Sequence, residues 1–204
     1  IRDSDYACPV LGGDLSKGKQ QNVAVTVCGA IDQENFMSRD GAKTGDQVFV
    51  TGTLGLAKQG LTILKSNSKE IDLSSKYVSK FINPNLNFKF GQAISSYATS
   101  CIDVSDGFIS DLGHICQASR VGASIDSDLI PIYGELEDAL TWGDDYELCF
   151  TAPSKAQSDV FDAAKEYGVQ VSQVGEITEK LELEILQNSR LVSFSKSGYN
   201  HFDE

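Results

Sequence analysis

The stretch Cys101-Ile-Asp-Val-Ser-Asp-Gly-Phe-Ile-Ser-Asp-Leu-Gly-His114 sets two carboxylates, Asp103 and Asp106, three residues apart where an apolar run gives way to an amphipathic one. Carboxylate oxygens in a turn loosened by Gly107 suit a hard divalent cation such as Mg²⁺. A second acidic turn, Leu11-Gly-Gly-Asp14, also follows an apolar stretch. Together the two turns suggest a metal that bridges protein carboxylates to a polyphosphate. A plainer reading stands beside this one. An Asp at a helix start caps the backbone N–H groups and favours the macrodipole, so Asp103 or Asp106 could be a cap. Paired glycines before Asp14 mark ordinary turns as well as phosphate contacts.

Other residue groups divide in the same way. Gly52-Thr-Leu-Gly55 reads as a strand–turn–helix, either an anion cradle or a turn capped by Thr53. Arg39, in Ser-Arg-Asp-Gly, has the fork that grips phosphate, or is an exposed turn residue. Gly143-Asp-Asp-Tyr-Glu-Leu-Cys-Phe150 places Asp144 and Asp145 before an apolar strand, where a solvated turn explains both. Asp111 and His114 are spaced for a local helical pair. Only two His occur in the chain, which argues against a catalytic triad or a His-rich metal site and moves the chemistry towards carboxylates.

Composition narrows the class. Seventeen Lys and Arg against 29 Asp and Glu give a net charge of −12, which argues against a nucleic-acid surface, since that would need a basic stripe. Phosphate ligands remain compatible, because a bound cation supplies positive charge locally. Five Cys, none spaced as CxxC, read as thiols rather than a disulfide or zinc framework. No run reaches membrane-span length and no signal region opens the chain, so no membrane is expected and the compartment is expected to be cytoplasmic. The first residue is Ile and Ile1–Asp5 reads as the tail of an earlier element, so the chain reads as a piece of something longer.

The elements that must position these residues follow from periodicity and punctuation. Strands are expected over Ala7–Leu11, Val23–Cys28, Gln47–Thr51, Cys101–Val104, Gly122–Asp126, Tyr146–Thr151 and Val169–Ile177, with a hairpin over Leu181–Phe194 turning near Asn188-Ser189. Helices are expected from about Leu56 to Leu64, over Lys76–Ile82 ahead of Pro84, over Phe88–Ala98, after the acidic turn, and over Lys155–Tyr167 between a Ser154 cap and Gly168. Ser66–Ser75 reads as loop and Gly198–Phe202 as a tail packed by its rings. Strands and helices that do not strictly alternate predict an α+β fold.

In this order the blocks LGGDLSKG, SRDGAKTGDQVFVTGTLG, CIDVSDGFISDLGHI, GDDYELCF and GYNHF resemble the thiamine-monophosphate kinase family. That family belongs to the superfamily of aminoimidazole ribonucleotide synthetase, selenophosphate synthetase and the hydrogenase-maturation ATP-dependent enzyme. The resemblance implies a mixed, largely antiparallel sheet with helices packed on one face. It implies transfer of the ATP γ-phosphoryl group to thiamine monophosphate, with Mg²⁺ held by Asp14, Asp103 and Asp106. Gly13, Asp14, Arg39 and Ser105 would contact ATP, and Asp144 and Tyr199 the thiamine substrate, with no protein nucleophile. It further implies that residues 1–30 are a remnant of a preceding domain and its exit strand, that 31–204 form the C-terminal ATP- and substrate-binding domain, and that the whole protein is a homodimer. The chain departs from the family at Leu86 and Asn87, which replace the second Pro and the Arg of a Pro-x-Pro-Arg segment, and at Trp142, which replaces a Gly. A non-catalytic binding or assembly module of the same fold, or a sister ATP-dependent enzyme, are the rival expectations.

Overall fold

The computed structural model describes residues 9–66 and 72–199, which fall into two units divided between Ile31 and Asp32. In the first unit residues 9–31 contain no helix or strand, and Val23, Val25 and Val27 stay between 62% and 79% exposed. The strand expected over Val23–Cys28 is therefore not formed. Alternation marks which residues could share a face, but a strand also needs a hydrogen-bonded partner, and the unit supplies none among its described residues. The strand expected over Ala7–Leu11 begins outside the described residues, and Pro9–Leu11 are not strand.

The second unit is built on seven strands: β1 (Asp46–Thr51), β2 (Ser100–Asp103), β3 (Gly122–Asp126), β4 (Leu148–Pro153), β5 (Val171–Thr178), β6 (Leu183–Gln187) and β7 (Arg190–Val192). They lie in the order β2-β4-β1-β5-β3-β6-β7. Every pairing is antiparallel except β3 with β6. Among the described residues six helices accompany them: α1 (Leu56–Lys65), α2 (Lys76–Ile82), α3 (Phe88–Ile94), α4 (Phe108–Ser119), α5 (Leu136–Thr141) and α6 (Gln157–Tyr167). The fold is α+β with a mixed, mostly antiparallel sheet, as expected. The β6–β7 turn falls on Asn188 (φ 49°) and Ser189 (φ 60°), the left-handed pair that a tight hairpin demands.

Helices cover both faces of the sheet, where one covered face was expected. Val48 and Val50 of β1 pack with Phe108, Leu112 and Ile115 of α4 and Leu140 of α5. Phe49, between them, faces the other way, in a core with Phe90 and Ile94 of α3 and Val160 of α6. Its ring stacks on that of Phe150 at 5.1 Å, and the Phe90 ring meets Phe150 edge-on at 6.0 Å. A central strand buried on both sides reads as an unbroken apolar run, as Val48-Phe49-Val50 does.

Three local expectations change. α3 stops at Ile94 rather than Ala98, and α5 was not expected at all. A short 3₁₀ turn over Ser154–Ala156 precedes α6, whose cap position is Ala156 with no side-chain cap, so Ser154 does not cap it. Of the loop expected over Ser66–Ser75, residues 67–71 lie outside the described residues, as do Asn200, His201 and Phe202 of the aromatic tail.

Candidate active site

Antiparallel pairing of β2 with β4 sets Asp103 opposite Leu148, so the loop leaving β2 and the loop entering β4 emerge side by side. Backbone bonds join them. The Val104 N–H donates to the Glu147 carbonyl at 2.7 Å, the Tyr146 N–H to the Val104 carbonyl at 2.9 Å, and the Asp144 N–H to the Ser105 carbonyl at 3.0 Å. Contact this close needs Gly143, since a Cβ there would stand 1.8 Å from the Ser105 carbonyl oxygen. Asp144 (φ 68°) and Tyr146 (φ 49°) both take the left-handed conformation, which costs a non-glycine residue on the order of 1 kcal/mol.

Buried carboxylates hold this arrangement. Asp111, 2% exposed on α4, accepts through Oδ2 the N–H groups of Ser105 (2.9 Å), Asp106 (3.0 Å) and Gly107 (3.2 Å). It reaches back to the acidic turn instead of forming the expected local pair with His114. Burial raises its pKa above the ordinary carboxylate value; the donated N–H groups oppose this, and the nearby charges of Asp106 and Asp103 add to it. The cap position of α4 is Gly107, with no side-chain cap, so neither Asp103 nor Asp106 has the capping role.

Asp145, 1% exposed, accepts the Gly55 N–H at 2.7 Å and the Ala57 N–H at 3.2 Å, and so closes the start of α1 in place of Thr53. Its carboxyl is pushed up to about 6 by burial, against the pull of the Gly55 and Ala57 N–H groups and of Lys80, and with the Glu147 charge adding to the rise. Glu147 lies in a polar knot. It pairs with Lys80 at 2.5 Å, with the two side chains 7% and 11% exposed. It also accepts from the Thr51 hydroxyl at 2.5 Å and from the Asn87 amide at 3.1 Å. Asn87 thus serves a structural contact here.

The outward residues of the same loops meet at a cleft of about 510 Å³. Ser105, Asp106, Asp144 and Tyr199 line it, with Lys65 from the last turn of α1 and Trp142. Tyr199 reaches this cleft because its N–H donates to the Asp106 carbonyl at 2.8 Å. A neighbouring cleft of about 440 Å³ takes Arg39 and Asp103, with Ser38 and Leu148 beside them. Tyr146 registers both groups of acids: burial, then the charges of Asp144, Asp103 and Asp106, raise its hydroxyl pKa. Gly13 and Asp14 belong to the first unit, where the Ser16 hydroxyl donates to Asp14 Oδ2 at 3.3 Å. Among the described residues no group of three or more His, Cys, Asp or Glu side chains is placed to hold a metal. No helix among them is long and apolar enough to cross a membrane.

Of the residues singled out in the sequence, Ser105, Asp106, Asp144 and Tyr199 thus line one cleft, Arg39 and Asp103 another, and Gly13 and Asp14 lie in the first unit. Asp111, Asp145 and Glu147 gave a faint signal, as acids among apolar residues, and Lys65 gave none.

Residues 43–186 match the AIR synthase related protein, C-terminal domain, and the chain belongs to that family. Within it the chain is a homologue of thiamine-monophosphate kinases. It is 35% identical to the thiamine-monophosphate kinase of Buchnera aphidicola subsp. Schizaphis graminum over 97% of its own length and 65% of that protein's. Its fold matches the crystal structure of the Stenotrophomonas maltophilia thiamine-monophosphate kinase with a TM-score of 0.66 and 30% identity, over 73% of this chain and 52% of that one. It also matches AaThiL complexed with AMPPCP and TMP, with a TM-score of 0.66 and 28% identity, over 82% of this chain and 54% of that one. The chain thus spans under two thirds of the length of these relatives.

Proposed function

We propose that this chain belongs to a Mg²⁺-dependent kinase that transfers the γ-phosphoryl group of ATP to thiamine monophosphate, giving thiamine diphosphate and ADP. One observation carries the reading: two acidic loops, bonded backbone to backbone, present Ser105, Asp106, Asp144 and Tyr199 to a single cleft. The AMPPCP and TMP bound by a relative with the same fold support the choice of ligands. In this reading Gly13, Asp14, Arg39 and Ser105 contact ATP, and Asp144 and Tyr199 contact thiamine monophosphate. Residues to about 30 form one domain's remnant and 31–204 the ATP- and substrate-binding domain of a homodimeric, cytoplasmic whole protein.

Carboxylate oxygens are the donors that a hard cation takes. Asp103 is exposed, Asp106 half-buried, and both act electrostatically on Asp111 and Tyr146, so the end of β2 is a negative locus of carboxylate oxygens. Asp103 and Asp106 would offer carboxylate oxygens to Mg²⁺, which when bound neutralises charge on the polyphosphate, and Asp14 of the first unit is the further ligand that the family resemblance implies. The remaining work is positioning. The acceptor is a phosphate oxygen, already nucleophilic, so phosphoryl transfer asks for orientation and charge compensation rather than a protein nucleophile. Lys65 brings a positive charge to the cleft, and Tyr199 and Trp142 bring apolar ring surface for a heteroaromatic substrate.

Calorimetry with MgATP and with thiamine monophosphate tests the reading, on the chain alone and mixed with the segment of the Buchnera relative that it does not match. The expected result is ligand binding by the mixture with formation of thiamine diphosphate, and little or no turnover by the 204-residue chain alone. Binding without turnover under either condition would favour a non-catalytic module. No binding of either ligand would overturn the proposal.

A further inference from the structure

The segment from Ser195 to Tyr199 has no regular structure, yet it is fastened at both ends. At one end Glu137 of α5 accepts the Ser195 N–H at 2.9 Å and the Ser195 hydroxyl through the same oxygen, Oε1. At the other end the Tyr199 N–H donates to the Asp106 carbonyl at 2.8 Å. Between them Gly198 lies so close to α4 that a Cβ would stand 2.4 Å from Ser110 Cβ and 2.8 Å from the Asp106 carbonyl oxygen. Helix α5 spans the gap between these fastenings. Glu137 sits in its first turn, while Thr141, its last residue, packs against the acidic turn: a Cβ on Gly107 would meet the Thr141 carbonyl carbon at 2.8 Å. Trp142 follows immediately and, with Tyr199, lines both the 510 Å³ cleft and a smaller cleft of about 330 Å³ that Glu137 and Ser195 also border.

We propose that Glu137 is a positioning residue: by holding Ser195 it keeps the 195–199 strap taut, so that Tyr199 stands at the cleft between the two acidic loops. Glu137 itself does not border the larger cleft and acts only through the strap. The proposal rests on the functional reading above for the identity of the ligand, but not for the strap. Five residues tied to two rigid points have few conformations left, and freeing one end returns that freedom. A ligand that needs Tyr199 in place must then restrain the segment as it binds, which lowers its affinity.

The experiment compares the chain with its Glu137→Ala, Glu137→Gln and Ser195→Ala variants by amide hydrogen exchange, by the emission of the sole tryptophan, Trp142, and by calorimetry with thiamine monophosphate. Glu137→Ala is expected to speed exchange in 195–199 by about tenfold, as a strong bond to a charged acceptor is lost. It should shift Trp142 emission and weaken thiamine monophosphate binding by a similar factor, while exchange in β1 and β4 stays unchanged. Ser195→Ala should act in the same direction less strongly, since the amide bond remains. Glu137→Gln keeps an acceptor oxygen and should restore most of the wild-type behaviour. Unchanged exchange in 195–199 with Glu137→Ala would overturn the proposal, as would faster exchange without weaker binding in a chain whose wild type binds. If the wild type binds no thiamine monophosphate either alone or mixed with the Buchnera segment, the functional reading fails instead, and exchange and emission decide the strap on their own.

Discussion

Each of the two acidic loops carries carboxylates of two kinds. Asp106 and Asp144 face a cleft, are half-buried, and among the described residues their side chains support no backbone group, whereas Asp111 and Asp145 are almost fully buried and receive backbone N–H groups. The loops differ in what their buried acid holds. Asp111 gathers three N–H groups of its own turn, five or so residues back, so the Ser105–Gly107 turn is fastened locally. Asp145 instead reaches ninety residues away to the start of α1, tying the second loop to the helix that delivers Lys65 to the same cleft. Both kinds of acid are needed for different reasons. In the proposed function the outward ones offer charge to a ligand, and the inward ones make the outward ones' positions repeatable.

The largest effect that tests this division is expected at Asp111. Asp111→Ala leaves three N–H groups without an acceptor, that of Gly107 buried and those of Ser105 and Asp106 part-buried, and an unsatisfied buried donor costs on the order of 1–3 kcal/mol. A loss of about 3 kcal/mol of stability is expected, with Asp111→Asn, which keeps one oxygen, losing less. Urea unfolding measures both. A loss within about 0.5 kcal/mol for Asp111→Ala, the range of ordinary surface substitutions, would show that the turn stands without its anchor.

The inward acids also predict a pH dependence. A carboxyl whose pKa rises on folding binds its proton more tightly in the native state. Such a group favours folding at low pH, and that contribution falls away as pH climbs from the ordinary carboxylate range to the raised value. For Asp145, moving from 3.8 to about 6, this amounts to about 3 kcal/mol. Asp111 shifts in the same direction, so the isolating comparison is with Asp145→Asn. The stability of the wild type relative to this variant is expected to increase from pH 7 to pH 4, most steeply between 6 and 4. Parallel profiles for the two proteins would place the Asp145 carboxylate outside the buried cap position.

How far these loops were readable from sequence depends on range. The turn after β2 could be read because its signals are local: an apolar run, two acids, a glycine and a helical pattern in sequence order. The helix over Lys76–Ile82 and the turn at Asn188-Ser189 were found for the same reason, from Pro84 and from residues suited to left-handed φ. Asp145 was read as a solvated turn because its partners, Gly55 and Ala57, are distant in sequence and nothing near it announces them. α5 escaped notice because a helix of six residues has too few turns to show a periodic face, and its stability comes from packing rather than propensity. Phe49 and Phe150 could have shown that helices cover both sheet faces, since runs such as Val48-Phe49-Val50 leave no polar face for water. Val23–Cys28 erred the other way: its alternation is real, and the pairing that would make it a strand is not present among the described residues of its unit.

The smallest stability effect should come from the outward acids, and it is the sharpest test of the contrast. Asp144 holds a left-handed φ, which Asn tolerates as well as Asp does, so Asp144→Asn removes charge without disturbing the backbone. At Asp106 only the backbone is used, its N–H by Asp111 and its carbonyl by Tyr199, so Asp106→Asn spares both bonds. Each variant is expected to unfold within about 0.5 kcal/mol of the wild type. Asp106→Asn should lie on the stabilising side, because the charge of Asp106 is one of those that disfavour ionised Asp111. Ligand binding should separate the two. Asp144→Asn is expected to weaken thiamine monophosphate by about tenfold, the worth of a charge-assisted contact, and Asp106→Asn to weaken MgATP more than thiamine monophosphate. Large losses of stability with ligand affinities unchanged would reverse the assignment, making the outward acids the scaffold and leaving the cleft without its charge.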